Sequence, residues 1–308
     1  MEVGSAVGQG AMRAAEADAF EEHRPRLTAI AYRMLGEVQE AEDAVQDAFL
    51  RWERADRAAI EAPGPWLAKA VTNLCLTRLA SARARRESYP GTWLPEPVSA
   101  GAAALGPLET VQQRESVSLA LLTLMESLTP AERAVFVLRE AFGYPHREIA
   151  GVLEIGEAAS RQLHRRARRR LGTAERRFEP GTERWRNLVE RFLDAATRGD
   201  VAALEELLAA DVTAWADGGG KATAARRPVT GRERVLRFVL GLARDIADYE
   251  IAIEDVNGSP ALVFWRDGAL YSVFAPDVAD GRVTALHIVR NPDKLARAGR
   301  VLRRPSAR

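Results

Sequence analysis

PHREIAGVLEIGEAASRQLHRRARRRL, residues Pro145 to Leu171, reads as two short helices about a tight turn. Ile149, Ala150 and Leu153 give the first helix an inner face, and Ile155 and Gly156 fall in the turn. Ala159, Leu163, Ala167 and Leu171 then recur every four residues along the second helix. That pattern is a helix-turn-helix. Six of the ten residues from Arg161 to Arg170 are arginine, so the face opposite the apolar stripe can engage phosphates. Arg161, Gln162 and Arg165 stand where a recognition helix presents side chains to base edges. A solvated basic helix is the plain alternative, and the helix and turn ahead of the arginines favour DNA over it. Glu154 holds a turn position where glycine is frequent.

Outward from this segment, 308 residues, 47% hydrophobic and 28% charged, suffice for two or three globular domains and exclude a disordered chain. The formal net charge is only +1, so a nucleic-acid surface has to come from local segregation of charge. The single cysteine, Cys75, lies in an apolar helical pattern; it excludes an intramolecular disulfide and a cysteine-rich metal site, and reads as a packed thiol. No apolar run approaches a membrane helix, and the N-terminus lacks the pattern of a secretory signal, so a cytoplasmic protein without membrane partners is expected.

Residues 1–17, small and Gly/Ala-rich, are expected as a flexible leader. Helical patterns follow at Phe20–Leu35 and Ala41–Trp52; in the second, Ala44, Val45, Ala48, Phe49 and Trp52 form one face and Asp43, Gln46, Asp47 and Leu50 another. A third helix, Pro65–Arg85, starts with proline in its first turn and ends basic through Arg78, Arg83, Arg85 and Arg86. Glu87 to Gly106 reads as an extended linker interrupted by Trp93-Leu94-Pro95-Glu96-Pro97, whose tryptophan is expected to dock. Periodicity resumes at Glu109, and Thr129 is placed to cap a helix that begins with Pro130. After Pro180 come helices at Glu183–Thr197 and Val201–Ala209, a strand at Val212–Ala216 and a helix at Gly231–Ile246. Strands close the pattern at Tyr249–Val256, Ala261–Trp265, Ala269–Phe274 and Arg282–Val289. Helices followed by a strand meander predict an α+β domain with a curved sheet wrapped on helices.

AEDAVQDAFLRWERA in the first helical region and SLTPAERAVFVLREAFGYPHREIA in the second resemble the extracytoplasmic-function sigma factors of bacterial RNA polymerase, over about residues 18–172. GDVAALEELLAADVTAWADGGGK and the closing HIVRNPDKL look like a SnoaL-like domain of the nuclear-transport-factor-two-like superfamily; WLPEP, DGGGK and NPDKL in this order point to the SigJ-like subgroup that carries this extension. The resemblance implies a multidomain fold: two all-α sigma domains, the second with the helix-turn-helix, then an α+β SnoaL-like, cone-shaped domain. The expected map is leader 1–17, sigma domain 2 at 18–86, linker 87–112, sigma domain 4 at 113–172, linker 173–181, SnoaL-like domain 182–292 and a basic tail 293–308.

Its implied function is promoter-specific initiation, with the β′ clamp and β flap of core polymerase and the −10 and −35 promoter elements as partners. Asp43, Gln46, Asp47 and Leu50, an acidic patch with an apolar centre, suit docking on the basic β′ clamp. Asn73, Arg78, Arg83 and Arg85 would face the melted −10 element, with residues 56–63 as a pocket wall for an unstacked base; Trp66 is either a wedge in the duplex or a packed side chain. Arg161, Gln162, His164, Arg165, Arg168 and Arg169 would meet the −35 element.

In the third domain, DGGGK reads as a tight turn whose Gly218, Gly219 and Gly220 permit positive φ and leave Asp217 and Lys221 for polar contacts. NPDKL reads as similar punctuation, with Asn291-Pro292 ending the last strand and Asp293-Lys294 exposed. Trp93, Leu94 and Pro95 of the linker are expected to pack near these turns and so fix how far apart the sigma domains sit. Asp217, Asp255 and His287 are the residues that a SnoaL-like acid–base site would use; no spacing demands such chemistry, so no catalytic residue, cofactor or metal is expected. An unidentified small ligand of the cone is the remaining partner. Two other functions stay open: a helix-turn-helix regulator with a ligand-sensing domain, and a SnoaL-like cyclase or isomerase fused to a DNA-binding region.

Overall fold

Three long helices open the chain: α1 (Val3–Leu35), α2 (Val38–Arg54) and α3 (Pro63–Glu87), in a computed structural model that describes residues 3–99, 102, 116–172, 182–302 and 304. The expected leader is not separate, because α1 runs from Val3; alanine-rich sequence favours helix, which the Gly/Ala reading underweighted. Leu27, Ile30 and Met34 of α1 bury against Ala44, Val45 and Ala48 of α2 and Leu67 and Val71 of α3. Trp66 packs tilted on Trp52, ring centroids 5.7 Å apart, so its packing role is the one seen.

The next helices are α4 (Leu119–Leu124), α5 (Pro130–Phe136), α6 (His146–Leu153) and α7 (Glu157–Leu171), with a π-helical turn, Val137–Ala141, after α5. Periodicity expected from Glu109 lies outside the described residues until Ser116, as does the linker at 173–181. Thr129 caps α5 in a complete capping box with Glu132. Between α6 and α7, Glu154 takes φ +56°, the left-handed conformation that glycine would accept more readily. Its carboxylate lies 2.9 Å from the Lys69 ammonium on α3. The cores of the two helical regions are continuous: Val71, Leu74 and Leu79 of α3 belong to the same cluster as Phe136, Leu138, Ile149 and Val152. The promoter-facing elements expected from the sequence are therefore packed on one another.

The remainder comprises α8 (Thr182–Arg198), α9 (Val201–Leu207), β1 (Leu208–Asp217), β2 (Val229–Thr230) and α10 (Arg232–Leu242), followed by a 3₁₀ segment, Ala243–Asp248. Then come β3 (Glu250–Val256), β4 (Ser259–Arg266), β5 (Ala269–Ala279), β6 (Arg282–Val289) and α11 (Pro292–Val301). The six strands form one mixed sheet in the order β2-β1-β6-β5-β4-β3, parallel only between β1 and β6. Alternation along each strand gives the sheet two buried faces. Val212, Ala214, Leu262, Phe274 and Ile288 face α8, α9 and α10. Ala261, Val263, Val273 and Val289 on the opposite face pack with Leu94 of the linker, Leu119 of α4 and Leu295, Ala298 and Leu302 at the C-terminal end.

This second face corrects the expected basic tail. Residues 293–301 are helical, with Lys294, Leu295 and Ala298 buried and Leu302 packed just beyond the end, and Asn291-Pro292 starts α11 as N-cap and first-turn proline.

Candidate functional site

On α7, Ser160 and Ala167 are fully buried and Leu171 nearly so, while Arg161, Gln162, Arg165, Arg168 and Arg169 are exposed. His164, expected on the DNA side, is turned inward: its Nε2 lies 2.6 Å from Glu140 Oε1, and this contact holds the Glu140 carboxyl below the usual range. Its ring packs 5.4 Å from that of His146, whose Nδ1 is 3.0 Å from Ser160 Oγ. The inward side of α7 thus takes in Ser160 and His164 beside Leu163, which packs partly buried on the core with Ala167 and Leu171.

On α2, Asp43, Gln46 and Leu50 are exposed together, Leu50 at 37%. Asp47 is half-buried and accepts from Arg78 at 2.7 Å, and Arg78 also reaches Glu40 at 3.0 Å. Arg78, expected to face DNA, is committed to α2 in this conformation because two carboxylates one helix face away offer it a charged cradle. Asn73 is half-buried on α3, and the side chains of Arg83 and Arg85 lie outside the described residues.

The linker and the two turn motifs converge on Asp217, a carboxylate with no exposed surface. It accepts from Tyr89 Oη (2.6 Å), Lys294 Nζ (2.7 Å), Gly219 N (2.9 Å) and Leu94 N (3.0 Å). Lys294, expected to be exposed, is buried; it also donates to Leu94 O, and burial pushes its pKa down against the pull of Asp217. Asn291 donates to Tyr89 Oη (2.8 Å), and Lys221 pairs with exposed Asp293 at 2.6 Å. Gly219 and Gly220 have φ of +60° and +71°; a β-carbon at Gly219 would lie 2.5 Å from the Asn291 side chain, and one at Gly220 would lie 2.8 Å from Pro90. Gly218 and Pro292 supply backbone only, and Pro95 is buried where the linker leaves the clamp. Trp93 lies between the Arg86 guanidinium (3.7 Å to ring centroid) and Lys294 Nζ (4.3 Å), and donates to Glu37 at 3.1 Å.

A second junction escaped the sequence reading. Asn257, at the β3–β4 turn with φ +54°, is 1% exposed and joins three parts of the chain. Its backbone N and Oδ1 pair with Val98 O (2.8 Å) and Val98 N (2.9 Å), and its Nδ2 donates to Tyr32 Oη of α1 (2.7 Å) and to Val117 O before α4 (2.8 Å). Tyr32 Oη in turn donates to Glu96 O at 2.8 Å. The Asn257-Gly258 pair was legible as a hairpin turn; its distant partners were not.

The three residues of an acid–base site do not converge. By strand alternation Asp255 faces α8–α10, whereas Asp217 and His287 lie on the opposite face, Asp217 under the linker and His287 stacked on Trp215 (5.1 Å, 7°). Burial lowers the His287 pKa to about 4. With the unfolded value near 6.5, neutral His287 contributes stability that is complete above that pH and is lost as pH falls toward 4. Urea unfolding should therefore show stability dropping by on the order of 3 kcal/mol more across that window in the wild-type chain than in His287→Phe. Equal pH dependence would refute this.

A separate cavity of about 180 Å³ lies between the 3₁₀ segment and the sheet, lined by Tyr249, Tyr271, Phe264, Phe274, Arg266 and Arg290 among others. Arg290 N donates to Asp217 O (2.7 Å), so the cavity wall and the clamp are adjacent along the backbone. Among the described residues no cluster of His, Cys, Asp and Glu could hold a metal ion, and no helix is long and apolar enough to cross a membrane.

Comparison with known proteins matches residues 19–85 to the family model for Sigma-70 region 2, residues 118–171 to that for Sigma-70, region 4, and residues 189–298 to that for a SnoaL-like domain. The chain is 37% identical over 297 residues to the ECF RNA polymerase sigma factor SigJ of Mycobacterium tuberculosis, covering 91% of this chain and 93% of that one. It is 33% identical over 279 residues to the probable ECF RNA polymerase sigma factor SigI of the same species, covering 90% and 93%. The crystal structure of M. tuberculosis extracytoplasmic function sigma factor SigJ superposes with a TM-score of 0.73 at 35% identity, over 91% of this chain and 98% of that one.

Proposed function

Because the chain belongs to the extracytoplasmic-function sigma factors of RNA polymerase, with a SnoaL-like domain at its C-terminal end, we propose that it is a promoter reader held closed by that third domain. The carrying observation is the packing of α3 on α6, with Lys69 and Glu154 2.9 Å apart. The −10 and −35 elements are separated by about 25 base pairs, roughly 85 Å of duplex at about 3.4 Å per pair. Domains sharing one core cannot span that distance. Promoter engagement therefore requires the first two domains to part, and the third domain, which grips the linker through Asp217, Lys294 and Asn257, opposes parting until core polymerase or a signal overcomes it.

In the open form, Asp43, Gln46, Asp47 and Leu50 dock on the β′ clamp, with the second domain near the β flap. Arg78, released from α2, joins Asn73, Arg83 and Arg85 at the −10 element; Arg161, Gln162, Arg165, Arg168 and Arg169 meet the −35 element. The units are residues 18–86, the linker 87–112, residues 113–172 and, after the connection at 173–181, a third domain extended through α11. This activity belongs to the cytoplasm, where the polymerase works. A small ligand in the cavity beside Arg290 would act on the same equilibrium through the Arg290–Asp217 backbone contact. Such a ligand would change the α3–α6 separation in the free chain; a ligand that binds without changing it removes this route.

Run-off transcription with purified core polymerase tests the function directly. The full chain should confer initiation at a discrete start site, and Asp43→Arg with Leu50→Arg should abolish it while leaving the melting temperature unchanged. Tight duplex binding by the chain alone, without initiation by core enzyme, would favour the simple regulator instead.

A further inference from the structure

The arginines of α7 divide into two sets by their position around the helix. At about 100° per residue, Arg169 lies opposite the buried line of Ser160, His164, Ala167 and Leu171, Arg165 and Arg166 stand about 50° to either side of it, and Arg166 and Arg170 share one flank. That flank faces Glu132, a carboxylate only 2% exposed in the first turn of α5. Glu132 Oε2 accepts from Arg170 at 2.7 Å and Glu132 Oε1 lies 3.5 Å from Arg166 Nε, while Oε2 also closes the cap on Thr129 N at 3.0 Å. Further along, Glu140 in the π-helical turn meets His164 at 2.6 Å. Two acids before the helix-turn-helix thus hold α7 by three of its own basic side chains.

We propose that Glu132 and Glu140 are positioning residues: they fix the rotation of α7 about its own axis through Arg166, Arg170 and His164, so that the opposite set meets the duplex in one register. This rests on α7 being the helix that reads the −35 element. The two sets then differ in measurable chemistry. An arginine on a phosphate releases counterions and steepens the salt dependence of binding, whereas an arginine held by a buried carboxylate contributes nothing to that slope. Loss of rotational register blurs the choice of base pair instead.

The test is promoter binding by reconstituted holoenzyme across a potassium chloride series. The probe is a duplex recovered by the wild-type holoenzyme from a pool randomised upstream of the start site, with a copy scrambled at −35 as competitor. Arg165→Ala and Arg169→Ala should each lower the slope of log affinity against log salt by about 0.9. Glu132→Gln, Glu140→Gln and the double variant Arg166→Gln/Arg170→Gln should leave the slope at the wild-type value and reduce discrimination against the scrambled duplex by roughly tenfold. Glutamine can still close the capping box, so α5 keeps its start in Glu132→Gln, and the double variant alters only half-exposed side chains. A lowered slope in the double variant, or wild-type discrimination in Glu132→Gln, overturns the assignment. Absence of −35 discrimination by the wild-type holoenzyme would overturn the −35 reading and this inference with it.

Discussion

Replacing Asp217 by alanine is expected to unfasten the linker and to destabilise the full chain by about 3–5 kcal/mol, the range for removing one partner of a buried ion pair. The carboxylate is fully buried under four donors, one of them the Lys294 ammonium. Alanine leaves that ammonium in a site already unfavourable to its charge. The converse change should be milder. In Lys294→Met the carboxylate keeps Tyr89, Gly219 and Leu94 as donors, and the methionine stem can still cover Trp93. Urea unfolding followed by tryptophan fluorescence should rank Asp217→Ala below Lys294→Met by on the order of 2 kcal/mol. Limited proteolysis should open residues 88–99 in the first variant before the second. Equal losses in the two variants would contradict the ionic clamp, leaving the packing of Leu94 as what holds the linker.

Asn257→Ala is expected to have the next largest effect, and a different one. Alanine withdraws partners from the buried Val98 N and Val117 O and places a β-branch-free but chiral residue at φ +54°, for a combined loss of about 3 kcal/mol. Asn257→Asp should be worse, because one carboxylate oxygen would face Val117 O, which has no proton, and Tyr32 Oη, whose proton already goes to Glu96 O. The β3–β4 hairpin itself pairs from Glu250↔Trp265 to Val256↔Ser259 and does not depend on these distant partners. Loss should therefore fall on the closed arrangement of the first two domains, with transcription from core polymerase raised rather than abolished. A variant that melts the third domain while leaving the other two docked would contradict this.

The helix-turn-helix was legible because its apolar residues recur at helical spacing and its turn is short. Polar residues share that inner face without marking it: Ser160 and His164 sit beside Leu163, Ala167 and Leu171 because His146 and Glu140 satisfy them, and a pattern built from apolar residues alone passes over them. The strands of the third domain were legible by alternation and its helices by period. The C-terminal helix was not recognised, although Asn291 as cap, Pro292 in the first turn and Leu295, Ala298 and Leu302 on one face were all present; the glycine-poor NPDKL was read as a turn because proline follows asparagine. A turn there would leave Lys294 exposed, whereas the helix turns it inward. The meeting of WLPEP with DGGGK and NPDKL follows from a linker tryptophan and prolines within reach of the third-domain turns. That of Asn257 with Tyr32 and Val117 has no such signal, since nothing local in an Asn-Gly turn encodes partners 225 and 140 residues away.

The closed and open forms differ most in the distance between α3 and α6. Thr77 and Arg147 are exposed on these helices and suit labelled cysteines, while buried Cys75, its thiol pKa raised to about 12, stays unreactive. Distance measurement between labels at these two positions should give a single short population in the free chain. In the holoenzyme bound to promoter DNA it should give a population longer by several tens of ångströms, as the roughly 85 Å between promoter elements requires. An unchanged short distance in an actively initiating complex would contradict the clamped promoter reader.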